Sequence, residues 1–288
     1  MNKSKALLLF ILPGLLIYLV FFVLPTLSSL FFSFTDWSGM SGDYRFVGMA
    51  NYQHMLNDTV FQMSLGNNLK FMFVVLIVQF ACSLALALFL KKNTRTNVFL
   101  RAVYFFPTIL SSVSVSFIWL FMYDPNFGVL NAMLDRFNVD GVNWLGDKKL
   151  AIYSVAFVQA WFHTGQMIVI FVAGLQSIPD DLYEVARIEG ASEWQIFRNI
   201  TWPLVAPAAV IVAAYTTIQS FKAFDLIFAM TRGGPNYSTE ILSTYLYSSA
   251  FMNNQFGYAS AISMVFMLIV ALITLAQFKL LQLNRVDY

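Results

Sequence analysis

Two groups of residues in this chain can do chemistry, and neither looks like a catalytic set. The first is a series of polar side chains inside apolar runs: Gln159, Trp161, His163, Thr164 and Gln166 in one run, and Tyr215, Thr216, Thr217, Gln219, Ser220, Lys222 and Asp225 in another. Polar groups are costly in hydrocarbon, so such residues either mark a pathway or join neighbouring helices. Hydrogen-bonding Gln, Ser and Thr beside flat Trp, Tyr and Phe surfaces suit a hydroxyl-rich cargo better than a lone inorganic ion. Lys222 and Asp225 are three apart, so on a helix they share a face and can pair. That pair serves either the structure or the pathway. His163 alone makes neither a metal site nor an acid–base couple. No nucleophile–base pair, metal-ligand cluster or phosphate-binding glycine loop accompanies it.

The second group is the charged stretch from Pro179 to Ser192, wedged between two apolar runs. Pro179 suits a helix start, where its missing N–H is harmless. Asp180, Asp181 and Glu184 follow in the first turns, where the helix dipole favours negative charge. Gly190 breaks the run, and Ser192 and Gln195 have capping-box spacing. The spacing predicts two short helices, the second ending near Asn199, with Pro203 opening the next apolar run. So structured a loop suits docking onto a partner outside the membrane.

The elements that must position these residues follow from composition. Of 288 residues, 59% are hydrophobic and only 11% charged, against about 25% charged in soluble domains. The chain reads as one polytopic membrane domain over residues 1–288, all α-helical, because hydrocarbon offers no partners for free backbone groups. Six runs reach the roughly 20 apolar residues needed to cross a bilayer. They lie at about 7–32, 69–90, 102–122, 151–175, 204–230 and 258–281, with the charged loop at about 176–203. The first is much longer than the roughly 7–15 apolar residues of a signal core, which favours an uncleaved span over a signal peptide. A net charge of +2 gives no reason to expect nucleic acid, and the single Cys82 excludes an intrachain disulfide.

Lys and Arg placement sets orientation. With the N-terminus inside, Lys3, Lys5, Lys91, Lys92, Arg95, Arg101, Arg187, Arg198, Lys279 and Arg285 face the cytoplasm. Arg45, Lys70, Arg136, Lys148, Lys149 and Arg232 face out. Both termini, and the loop around Glu184, are then cytoplasmic. The outer segments Thr35–Asn68 and Tyr123–Leu150 are rich in turn residues. They form either a docking rim or ordinary connections.

The run Glu184-Val185-Ala186-(x2)-Glu189-Gly190-Ala191-(x5)-Phe197-(x2)-Ile200-(x2)-Pro203 resembles the cytoplasmic EAA loop of permeases in ATP-binding-cassette importers. Thr231-Arg232-Gly233-Gly234-Pro235 is similar to the T-x-G-G-P signature of the sugar-importer branch. Val185 stands where Ala is usual, and Glu189 where Asp is usual. The resemblance implies a type I importer permease with six spans in a bacterial or archaeal cell membrane. It implies a second homologous permease, giving a heterodimer, two cytoplasmic ATPase subunits and an extracytoplasmic solute-binding protein. ATP and Mg would then be bound by the ATPase, with no cofactor on this chain and no enzyme activity of its own.

The resemblance also implies roles for residues. Tyr183, Glu184, Ala186, Glu189, Gly190, Ala191, Phe197 and Pro203 would couple to the ATPase. Trp161–Pro235 aligns without gaps onto the sugar-binding permease of maltose importers. The sugar-contacting positions there fall on His163, Gln166, Thr216, Gln219, Ser220 and Ala223, with Lys222 and Asp225 beside them. Most identities differ from the maltose pattern, and the Ala223 side chain cannot hydrogen-bond, so the site is retained in place while maltose itself is in doubt. Thr231, Gly233, Gly234 and Pro235 would shape an outer rim. The expected cargo is a di- or oligosaccharide. Glycerol phosphate or a polyol is the alternative within the same machinery, and an ion-coupled secondary transporter is an alternative outside it.

Overall fold

The computed structural model describes residues 3–40 and 42–282. Both chain termini, and with them Arg285, lie outside the described residues. Within them the chain is helical, apart from loops and one isolated antiparallel bridge between Thr35 and Phe46. In chain order the helices are α1 (Ile11–Phe32), α2 (Ala50–Asn57), α3 (Thr59–Leu90), α4 (Arg95–Phe105) and α5 (Ser112–Met122). There follow α6 (Val129–Asp135), α7 (Ala151–Gln176), α8 (Asp180–Ile188) and α9 (Glu193–Phe221). The last three are α10 (Phe224–Met230), α11 (Leu242–Tyr247) and α12 (Phe256–Gln282). By length and apolarity α1, α3, α7, α9 and α12 can each cross a membrane.

Three of the expected spans differ from the sequence reading. The second begins at Thr59 rather than near residue 69. Asp58 caps it, its Oδ1 accepting from the N–H groups of Val60 at 2.8 Å and Phe61 at 3.2 Å. The third is broken: α4 and its following turn to Ile109 meet α5 at 98°. Pro107 lies in that turn, and a proline nitrogen cannot continue the helical hydrogen-bond ladder. The fifth is broken as well, α9 ending at Phe221 and α10 starting at Phe224. Lys222 and Ala223 fall in the gap, so they do not continue one helix to Asp225.

The chain divides into two compact units, Met1–Gln62 with Tyr245–Ile269, and Met63–Thr244 with Val270–Tyr288. In the first, the segment after α1 is tied down rather than loose. The Asn51 amide donates to the carbonyls of Ser33 at 2.8 Å and Thr35 at 2.9 Å. Gly257 opens α12 against that segment, where any Cβ would overlap the Thr35 carbonyl. The Asp58 Oδ2 accepts from the hydroxyls of Tyr245 and Tyr258.

The second unit is organised around α7, which serves two apolar cores. One gathers Phe71, Val75, Trp119, Val155, Ile227 and Ile241, and so fixes α10. The other gathers Leu90, Phe171, Leu175, Tyr183, Ile196 and Val205, and so fixes the loop after α7. Two glycines let α7 approach its neighbours closely. A Cβ on Gly165 would overlap the Tyr104 carbonyl of α4, and one on Gly174 would stand 2.6 Å from the Ala208 Cβ of α9. Thr108 adds a hydrogen bond to the Phe162 carbonyl at 2.9 Å.

Candidate functional site

The break between α9 and α10 opens a cavity of about 470 Å³, lined by Leu110, Ser112, Gln159, Phe162, His163, Tyr215, Ile218, Gln219, Lys222, Ala223, Asp225 and Leu226. The break itself accounts for the exposure of Lys222 and Asp225, since both lie where the helix is interrupted. They do not pair. No ion pair joins them, and Asp225 instead accepts from the Ser112 hydroxyl at 3.3 Å. The expected pairing rested on a continuous helix, and the interruption removes its premise. Two polar groups of the cavity wall are unpartnered and buried among the described residues, the His163 Nδ1 and the Gln219 Oε1. An orphaned buried polar group costs about 1–3 kcal/mol.

Five of the expected pathway residues thus meet at one cavity: His163, Gln219, Lys222, Ala223 and Asp225. Gln166 stands one step removed, donating to the Tyr215 hydroxyl at 3.0 Å. Thr216 and Ser220 are fully buried, and the Ser220 hydroxyl bonds back to the Thr216 carbonyl at 2.7 Å. These two pack α9 rather than face the cavity. Ser112 is a wall residue the sequence reading missed, because its segment reads as the middle of a straight span.

The charged loop separates an outer face from an inner one. Val185, Ile188 (85% exposed) and Trp194 (66%) project outward with Glu184 and Glu189, and the Trp194 and Phe197 rings stack with centroids 5.7 Å apart. Tyr183 points the other way and is only 6% exposed. Its hydroxyl lies 3.3 Å from the Thr201 Oγ1, and the Lys91 ammonium sits over its ring, 4.5 Å from the centroid. Tyr183 and Ile196 are buried in the second core, with Ala186 and Ala191 partly buried against it. Gly190 bends the chain at φ +81°, with open space where a side chain would stand. The Ser192–Gln195 capping box is formed. The second short helix does not stop near Asn199, however. It is the first turn of α9, continued through a π-turn at Phe197–Thr201 in which the Trp202 N–H reaches the Phe197 carbonyl. That wider turn absorbs the missing donor of Pro203.

The stretch after α10 is a closed turn. Gly233 has φ +80°, and the Gly234–Pro235 peptide is cis. Thr239 is fully buried, and its hydroxyl lies 2.7 Å from both the Thr231 hydroxyl and the Gly234 carbonyl. It closes the turn rather than capping the next helix. From α3, Asn67 donates to the carbonyls of Tyr237 at 2.8 Å and Glu240 at 3.1 Å, and the Asn68 Oδ1 accepts from the Leu242 N–H at 3.2 Å. Glu240 lies under Gly233, and burial pushes its carboxyl above the usual value. Asn67, Asn68 and Glu240 carry no motif, and only the polar face at the start of α3 hinted at them.

Residues 77–285 match the family model described as the inner membrane component of binding-protein-dependent transport systems. The chain belongs to this family. As a family member it is a multi-pass inner-membrane permease subunit. It is 35% identical, over 93% of its length and 92% of the other's, to a probable ABC transporter permease of Pyrococcus horikoshii. It is 32% identical, over 94% and 93%, to the multiple sugar-binding transport system permease MsmF of Streptococcus mutans. Its fold is that of a chain in a bacterial ABC transporter involved in import of the acidic polysaccharide alginate, with TM-score 0.83 at 20% identity, covering 98% of this chain and 96% of that one.

Proposed function

We propose that this permease forms part of the translocation pathway of an ATP-driven sugar importer and is moved by ATPase subunits through the loop 176–203. The observation that carries the reading is the cavity at the helix break. Its volume falls within the roughly 300–1,000 Å³ usual for small-molecule sites. Its wall mixes Gln159, His163, Tyr215 and Gln219 with the flat ring of Phe162, the chemistry that hydroxyls and the apolar faces of a sugar require. The unpartnered groups of His163 and Gln219 are offered to cargo hydroxyls. Lys222 and Asp225 contribute opposite charges, which favours a neutral di- or oligosaccharide over a phosphorylated cargo such as glycerol phosphate. The names of several relatives support the same class: multiple sugars for MsmF and trehalose/maltose for the permease of Thermococcus litoralis.

The loop supplies the coupling. In this reading Glu184, Val185, Ile188, Glu189 and Trp194 enter a groove on the ATPase, while Tyr183 and Ile196 bind the loop to the spans so that its movement becomes theirs. Ala186, Gly190, Ala191, Phe197 and Pro203 set the loop's shape. A second homologous permease completes the pathway. The turn at Thr231, Gly233, Gly234 and Pro235 faces an extracytoplasmic solute-binding protein, and the termini are cytoplasmic. ATP and Mg are held by the ATPase partner. The test is uptake of candidate sugars by the complete importer in proteoliposomes. Gln219→Ala should cut uptake about tenfold or more, as expected when hydrogen bonds worth about 1.4 kcal/mol are lost. Uptake that continues with a catalytically dead ATPase would overturn the reading.

A further inference from the structure

A recess of about 600 Å³ lies beside the loop, where two spans end. Lys91 and Lys92 directly follow Leu90, the last residue of α3, and Gln176 is the last residue of α7. Asp180 and Arg187 complete its polar wall from α8. Three cations therefore face one carboxylate. Arg187 is shared with Glu193 at 3.4 Å, in a pair exposed on both sides. Neither lysine has a carboxylate within 4.0 Å among the described residues. The recess also has built walls. The Gln176 amide donates to the Lys91 carbonyl at 2.6 Å and to the Asn93 Oδ1 at 3.0 Å. Arg101 donates to the same Asn93 oxygen at 2.7 Å. The Lys91 ammonium is held over the Tyr183 ring instead of wandering in solvent.

We propose that this recess binds a phosphate group. Cationic donors on a braced turn suit the non-bridging oxygens of a phosphate, which form strong charge-assisted hydrogen bonds. The position favours the same ligand, because α3 and α7 are 32 and 26 residues long and apolar, and their ends reach the depth of lipid headgroups. Basic pockets between spans at that depth are suited to anionic headgroups. Asp180 repels phosphate but can accept hydroxyls, such as those a glycerol headgroup carries. A lipid headgroup and a soluble phosphate share the recognising chemistry, and the experiment separates them. The inference rests on the membrane reading of the spans and not on the cargo or on the coupling role.

The test uses the full chain, copurified with its partners, and counts retained phosphatidylglycerol by native mass spectrometry. Lys91→Gln/Lys92→Gln should lower retention about tenfold, equivalent to about 1.4 kcal/mol. Lys91→Arg/Lys92→Arg should retain the lipid, which shows that charge and not folding is at issue. Lys148→Gln/Lys149→Gln, at the opposite end of α7, should leave retention unchanged. If millimolar inorganic phosphate displaces the lipid in the wild type alone, the recess takes soluble phosphate; if it does not, the headgroup is the ligand. Equal retention in wild type and the Gln pair overturns the proposal, as does equal loss in the Lys148/Lys149 control. Loss of the ATPase from the complex with lipid retention unchanged also overturns it, since the recess would then hold protein carboxylates.

Discussion

Gly190 and Gly233 have almost the same backbone conformation, with φ +81° and +80°, in opposite surroundings. Around Gly190 there is open space, and the bend itself is held by contacts a few residues long: the Ser192–Gln195 cap and the Ala191 N–H on the Ala186 carbonyl at 2.9 Å. Around Gly233 a side chain would strike Glu240, and the turn is clasped by Thr231, Thr239 and the distant Asn67. The first region can be altered on its surface without disturbing what carries it. The second is fixed from several sides, so a change at one point is felt throughout. The exposed bend is thus held locally, and the closed turn is held by the rest of the fold.

Substituting the two glycines gives the sharpest test of that contrast. Gly233→Ala combines left-handed strain of about 1–2 kcal/mol with overlap on Glu240 costing about 1–3 more, and should sharply reduce the yield of folded protein by fluorescence-detected size exclusion. Gly190→Ala meets only the strain, about 1–2 kcal/mol, and should leave a monodisperse protein. Equal loss in both would erase the distinction. Asn67→Ala comes next. It leaves the Tyr237 and Glu240 carbonyls short of a donor, at about 1–3 kcal/mol, and should lower the unfolding temperature in detergent.

Ser192→Ala should cost about 1 kcal/mol by removing the cap. Faster hydrogen exchange should then be confined to residues after 192, with the outer turn unaffected. Glu184→Lys should barely change stability, because the side chain is exposed, yet sugar-driven ATP hydrolysis should fall. The smallest effect concerns Glu240. Burial raises its folded pKa above the ordinary 4.5, so its contribution is full below the unfolded value and fades as pH rises through the folded one. Glu240→Gln should flatten that part of the stability–pH curve; an unchanged slope would remove Glu240 from the account.

Much of the fold was legible because apolar length alone determines a span, as at α1, α7 and α12. The loop was legible too, since Pro179, Gly190, Ser192 and Gln195 act within a few residues of themselves. The start of α3 was hidden by polar residues, among them Ser64, Asn67 and Asn68, which are buried in the protein interior and read as a loop. At Lys222–Ala223 no glycine or proline announces the break, so tertiary packing must impose it, and the cavity it creates could not be drawn from helix periodicity. Thr216 and Ser220 misled for a related reason. Their type suits cargo, but the Ser220 hydroxyl returns to the backbone of its own helix, and Thr216 is fully buried. Glu240 gave no sign because its burial depends on a turn closed by residues far apart in the chain.

The backbone contact at Gly165 has a mechanical consequence. With no side-chain layer between α7 and the Tyr104 carbonyl, and with Thr108 bonded to Phe162 just before it, the crossing resists sliding and leaves rotation as the easier motion. It is a fulcrum. At about 1.5 Å per residue, Gln176 lies about 16 Å along α7 from that point and His163 only about 3 Å. A tilt that swings the Gln176 end by about 1.5 Å therefore shifts His163 by about 0.3 Å. A large displacement imposed at the loop end would become a small adjustment at the cavity wall, a gear ratio that gives up distance for force.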